Sequence, residues 1–187
     1  MVTRIAALFP GIGYNKSMPL LYHAGKLALQ QDFKVKALDF KGFPTRLKGN
    51  RDAMMQAFSV AVAQAEEQLR FIDFPVYDDV VFISKSVGTV AAAIYAAKYH
   101  VPARQLYFTP LEQTFSLVEA GNGLVFHGTA DSWASTAAVT EGCETKQLTL
   151  KTIPDANHSL ETGNVSADLA ALSGIMEDVE QFLRQSA

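Results

Sequence analysis

The chain has 187 residues and a formal net charge of -3, with hydrophobic residues at 49% and charged residues at 19%. A chain of this length and composition supports one sizeable core and is too apolar to remain disordered. Lysine and arginine form no stripe, no apolar run approaches bilayer length, and the single cysteine, Cys143, leaves no intrachain disulfide; nucleic acid as main partner, a membrane span and a disulfide scaffold are set aside, and a reducing, cytoplasmic location is expected.

In chain order, Arg4–Phe9 reads as a short apolar strand, interrupted at once by Pro10 and Gly11 and without a signal-peptide cleavage pattern. Residues 18–31 carry Leu20, Leu21, Ala24, Leu27 and Ala28 at helical spacing. A second strand is expected over 33–40. A long helix is expected over 50–71, with Ala53, Met54, Ala57, Phe58, Ala61, Ala65 and Leu69 on one face and Asn50 as its cap. The run 80–83 is continuously apolar, as a strand inside a parallel sheet would be. Helix follows over Val87–Tyr99, then strands at 105–109 and 124–127 and an edge-like alternation at 147–153. A last helix is expected over 167–185. Such βα alternation predicts an α/β fold: a doubly wound, mostly parallel six-stranded sheet with helices on both faces. The loops are short, and the longest irregular stretch that could shape a pocket is 41–49.

The segment VVFISKSVGT places Ser86 at the apex of a strand–turn–helix. Such a turn lifts the hydroxyl above the sheet, with the residue's own N–H expected to face the same space. Parallel sheets bind ligands at the carboxyl ends of their strands. Three further polar clusters stand at such ends: Gly11-Ile12-Gly13-Tyr14, His127-Gly128-Thr129-Ala130-Asp131, and Asp155-Ala156-Asn157-His158. Serine, aspartate and histidine thus follow one another in chain order, each just beyond a strand. Asp155 and Asp39 are rivals to Asp131. Cys143 is expected to be inert, His127 structural, and Lys85 solvated or paired. Ser86 also admits a plain reading as a helix cap, Asp131 as the cap of a helix near 132–138, and His158 as a loop residue.

On these residues the chain resembles the α/β hydrolases, in particular the small lidless ones, over nearly its whole length. The resemblance implies one domain over residues 1–187, Ser86 as nucleophile, Asp131 as acid and His158 as base, with Ile12 and Val87 supplying the backbone N–H groups of an oxyanion hole. Gly11, Gly13, Tyr14, Leu111 and Trp133 are expected around the substrate. Ser84 stands where the family's turn has its first glycine, and Pro10 where it often has histidine. Both departures touch turn geometry more than proton transfer. The implied activity is hydrolysis of a small acyl ester, thioester or amide; the alternative is a catalytically impaired hydrolase scaffold that binds small molecules. No Cys/His/Asp cluster has metal-ligand spacing, so neither metal nor cofactor is expected. Dinucleotide binding after the first strand would need glycine where Lys16 stands, and a phosphate loop would need glycine at Asn15. The oligomeric state is left open.

Overall fold

Strand and helix alternate throughout the computed structural model, which describes residues 2–121 and 123–185. The strands are β1 (Arg4–Phe9), β2 (Phe33–Ala37), β3 (Asp79–Lys85), β4 (Arg104–Phe108), β5 (Gly123–Gly128) and β6 (Thr149–Ile153). They form a six-stranded sheet in the order β2-β1-β3-β4-β5-β6. Each neighbouring pair is parallel, so the sheet is wholly rather than mostly parallel. The winding direction reverses between β1 and β3. That is the switch point where connections leave to opposite faces and open a crevice at the strand ends.

The helices are α1 (Pro19–Gln30), α2 (Arg51–Leu69), α3 (Val87–Tyr99), α4 (Thr136–Lys146) and α5 (Val165–Arg184). Because strand side chains alternate, each inner strand feeds two cores. Val80 and Phe82 of β3 pack with Phe58, Ala61 and Ala65 of α2 and with Val90 and Ala91 of α3. Val81 and Ile83 face the other way, toward Leu21 and Ala24 of α1 and Ile175 and Val179 of α5. Tyr107 and Val125 meet Val139 and Cys143 of α4 on the first face. The predicted inward stripe of α2 is realised, with only Met54 half-exposed, and Asn50 caps the helix by accepting from the Ala53 N–H at 3.1 Å.

Two differences from expectation have local causes. The second strand stops at Ala37 because α2 takes over the pairing of the chain beyond it. Gln68 accepts from the Asp39 N–H and donates to the Asp39 carbonyl, both at 2.9 Å. Gln64 does the same for Lys41 at 3.0 and 2.7 Å. These two side chains satisfy the backbone as a neighbouring strand would. The helix after Asp131 starts later than 132–138, at Thr136, where Ser135 accepts from the Ala138 N–H.

The two ends of the sheet differ in character. At the strand starts, Arg104 grips Asp79 with Nε and Nη2 at 3.1 and 2.9 Å, and donates from Nη1 to the Phe182 carbonyl at 2.6 Å. This bidentate pair ties β3 and β4 to α5. At the strand ends the polar groups are left to loops, and there the candidate site forms. On edge strand β6, Lys151 pairs with Asp178 of α5 at 3.1 Å.

Candidate active site

Ser86 sits between β3 and α3 with φ 53 and ψ -123. For a residue with a Cβ this is a strained backbone, and such strain persists only where the surroundings over-determine it. Three bonds do so here. Ser86 N–H donates to Phe108 O at 3.1 Å, and the Ser86 carbonyl accepts from Thr89 N at 2.8 Å and from Thr89 Oγ1 at 2.6 Å. The Ser86 N–H therefore extends the β3–β4 ladder instead of facing the hydroxyl's side. Thr89, buried and bonded onward to Thr114 at 2.7 Å, locks the turn from below.

The small residues around the apex have distinct reasons. A Cβ on Gly88 would lie 2.3 Å from the Phe9 carbonyl oxygen and 2.5 Å from that of Pro10. Only glycine lets α3 start this close to the end of β1. Gly11 similarly brings the loop after β1 against the turn, for its Cβ would come within 3.1 Å of the Ser86 Cβ. Ser84 needs no glycine, because its side chain lies wholly buried and donates to the Leu106 carbonyl at 3.2 Å. The sequence departure at this position is absorbed by the sheet.

His158 Nε2 lies 2.8 Å from Ser86 Oγ, and His158 Nδ1 lies 2.7 Å from Asp131 Oδ2. The carboxylate can only accept, so Nδ1 donates and Nε2 is free to accept the serine proton. Serine, histidine and aspartate, separated by 72 and 27 positions, thus form one hydrogen-bonded line. Asp131 Oδ1 takes the Trp133 N–H at 2.8 Å. Burial works against the Asp131 charge, but bonds from His158 and Trp133 outweigh it and hold the carboxyl below its usual range. Burial also lowers the His158 pKa, aided by the Lys85 charge and opposed by the bond to Asp131. The rival acids lie elsewhere: Asp155 is exposed, with its N–H on Thr129 Oγ1, and Asp39 faces Lys41 at 4.0 Å.

The acid and histidine loops are laced together. Thr129 N–H donates to Ile153 O at 3.0 Å and Ala130 N–H to Ala156 O at 2.9 Å. Gly128 makes this possible, since a Cβ there would stand 2.2 Å from the Ala156 oxygen. Asn157 shapes the turn that presents His158, its Oδ1 accepting from Ser159 N at 2.7 Å.

Among the remaining predicted residues, Val87 opens α3, where a helix leaves its first N–H groups without intrahelical partners. The Ile12 N–H enters no hydrogen bond among the described residues. It sits in a tight turn closed by Gly11 N–H on the Tyr14 carbonyl at 3.0 Å. Gly13 takes φ +72 in that turn. Trp133 is exposed, its ring 5.9 Å from the His158 ring. Tyr14 is buried, its hydroxyl accepting from the Leu20 N–H at 3.1 Å; with Leu20, Leu160 and Ile175 it lines a groove of about 390 Å³ beside Ser159. Leu111 is buried in the core shared by α2 and α3.

Three more residues stand near the line: His127, expected to be structural, Lys85, expected to be solvated or paired, and Thr109, which the sequence did not single out. His127 is fully buried beside Asp131, with Nε2 on Thr136 Oγ1 at 3.0 Å and Nδ1 3.9 Å from Asp131 Oδ2. Burial keeps it neutral by lowering its pKa. Lys85 is not solvated: its Nζ donates to Thr109 Oγ1 and to the His158 carbonyl, both at 2.6 Å. Thr109, at φ 44, donates in turn to the same carbonyl at 3.0 Å. Among the described residues no group of three or more His, Cys, Asp or Glu could hold a metal ion. Among the described residues no helix is long and apolar enough to cross a membrane.

No protein-family model matches the sequence, and no curated protein matches it as a relative. Solved structures do match. The chain is similar to XC6422 from Xanthomonas campestris, an α/β serine hydrolase without a lid, at 17% identity and TM-score 0.61, over 100% of this chain and 86% of that one. It is similar to an α/β serine hydrolase homologue from Coxiella burnetii at 16% identity and TM-score 0.67, over 95% and 86%. Est1E from Butyrivibrio proteoclasticus, solved with ferulic acid bound, matches at 12% identity and TM-score 0.67, over 97% and 88%. The chain therefore has the α/β-hydrolase fold, and its structural neighbours are α/β serine hydrolases and esterases.

Proposed function

We propose that the protein, acting as one domain, is a serine hydrolase that cleaves a small acyl ester, or a related thioester or amide, through Ser86, His158 and Asp131. What carries this is the hydrogen-bonded line from Asp131 through His158 to a hydroxyl at the apex of a strained turn. In the first step His158 Nε2 takes the Ser86 proton as Oγ attacks the acyl carbon. The tetrahedral oxygen gains negative charge and is met by the N–H groups of Val87 and Ile12, with the positive end of α3 behind them. His158 then gives its proton to the leaving group, and the acyl group stays on Ser86. Water, deprotonated by His158, attacks the acyl carbon; the bond to Oγ then breaks, His158 returns the proton to Ser86, and the acid leaves. Asp131 holds Nδ1–H throughout and stabilises the imidazolium. No cofactor enters any step.

Ser86 and His158 are both half-buried, so the reacting bond is reached from solvent. The exposed Trp133 and the groove beside Ser159 suit a short aromatic or aliphatic group. Est1E's ferulic acid adds hydroxycinnamoyl esters to the acyl groups worth testing. The test pairs a fluorophosphonate probe with p-nitrophenyl esters of graded chain length. Label is expected on Ser86, with turnover of short esters. An unlabelled, inert protein that still binds acyl ligands would mark the impaired scaffold instead.

The pH dependence has a defined sign. The base must be neutral, and burial with the Lys85 charge puts the His158 pKa below its ordinary 6.5. Activity is therefore retained as the pH falls to 6.5 and is lost only below it, as the imidazole protonates. The acid limb of kcat/KM is expected to have its midpoint below 6.5; a midpoint above that value contradicts this account of the base.

A further inference from the structure

Lys85 occupies the variable position before the serine, yet it is 1% exposed. Burying an ammonium is costly, and Lys85 makes no ion pair among the described residues. Methionine would fill a similar volume without that cost, so packing alone does not account for a lysine. Its three donors have specific destinations: Thr109 Oγ1, the His158 carbonyl, and the face of the Tyr14 ring, whose centroid is 5.0 Å from Nζ. Lys85 therefore reaches from the residue beside the serine, past the end of β4, to the main chain of the histidine itself.

We propose that Lys85 is a positioning residue for this site: its ammonium clamps the His158 main chain to β3 and β4 and sets one positive charge behind the imidazole. The inference rests on the reading of Ser86, His158 and Asp131 given above.

The clamp and the charge have separable consequences. The carbonyl of His158 is the anchor from which its ring reaches Ser86, so a looser anchor misaligns Nε2 and Oγ. The charge opposes protonation of His158. Burial pulls the Lys85 pKa down to about 7, against the attraction of Asp131 and Glu161. Lys85 is therefore charged over the range in which His158 titrates. The groups that bear on the pair are Asp131 from the acid loop, Glu161 from the histidine loop, Tyr14 from the loop after β1 and Thr109 after β4; His127 acts on Asp131 from behind.

The test compares the intact protein with Lys85→Met and Thr109→Ala. The His158 imidazole is titrated by proton NMR, assigned with His158→Asn, and kcat and KM are measured on a short p-nitrophenyl ester. Lys85→Met is expected to fold and melt at or above the wild-type temperature, because Thr109 still satisfies the His158 carbonyl. Its kcat should fall about ten- to a hundred-fold with KM little changed. Its His158 pKa, and with it the acid limb, should move to higher pH. Thr109→Ala keeps the charge, so its kcat should fall while the His158 titration stays in place. Wild-type kcat with an unmoved His158 titration in Lys85→Met overturns the proposal. So does a Lys85→Met that fails to fold beside a fully active Thr109→Ala, which leaves the lysine a packing role only. Activity that survives Ser86→Ala is a different result and overturns the underlying reading, since the NMR titration needs no turnover.

Discussion

Ser86→Ala is expected to abolish fluorophosphonate labelling and to lower kcat on any ester substrate by roughly 10⁴- to 10⁶-fold, while the protein stays folded. The size follows from the loss of the hydroxyl bonded to His158 Nε2. Ester binding should persist, because the groove, Trp133 and the proposed N–H donors of Val87 and Ile12 are untouched. Ser86→Gly provides a second reading of the same position. Alanine keeps the Cβ and with it the strain of φ 53, whereas glycine adopts this backbone freely. Both variants should be inactive, but Ser86→Gly should be the more stable by about 1 kcal/mol in urea denaturation. Equal stabilities would mean that the turn stores no strain, and undiminished turnover in Ser86→Ala would remove Ser86 from the chemistry.

Gly128→Ala is expected to destabilise the protein by about 3 kcal/mol and to cut kcat about a hundred-fold in what remains folded. The added methyl would meet the carbonyl oxygens of Ala156 and Asn157 at 2.2 and 2.6 Å. Both are backbone atoms, so relief requires moving the histidine loop as a body and carrying His158 away from Ser86. Gly174→Ala is the matched control, because that glycine lies within α5 and a Cβ there would touch nothing within 4 Å. It should stabilise the protein by about 0.5–1 kcal/mol, the ordinary preference of a helix for alanine. The same substitution thus has opposite signs at two positions, read in one set of denaturation curves. Equal effects would mean that the close approach at Gly128 is not a constraint.

Much of the sheet, and the three aligned side chains, could be read from the sequence because parallel sheets collect strand ends along one edge. Once 80–83 and 124–127 read as parallel strands of one sheet, Ser86 and Asp131 had to emerge on the same edge, with β4 between them. The α2 stripe was equally legible, since period and burial coincide. The auxiliary groups were not. Lys85 has a long, flexible side chain whose direction no local pattern records, and its partners, Thr109 and His158, lie 24 and 73 positions away. Gln64 and Gln68 look like ordinary solvated helix residues until the chain beyond β2 is laid against them. The destination of the Ser86 N–H was misjudged because it depends on how far the β3–β4 ladder extends, which is a matter of register rather than composition. Strand ends shifted by a residue or two for the same reason.

The lacing of the acid loop to the histidine loop also governs when the site comes into being. During synthesis the elbow emerges long before β6 and the turn that follows it, so the young polypeptide carries a hydroxyl with no base to ionise it. Reactivity should arrive abruptly, once the C-terminal third has docked and α5 has closed over α1. Truncated or stalled chains would then be chemically silent, and regaining ester cleavage during refolding would report the final docking step rather than formation of the sheet.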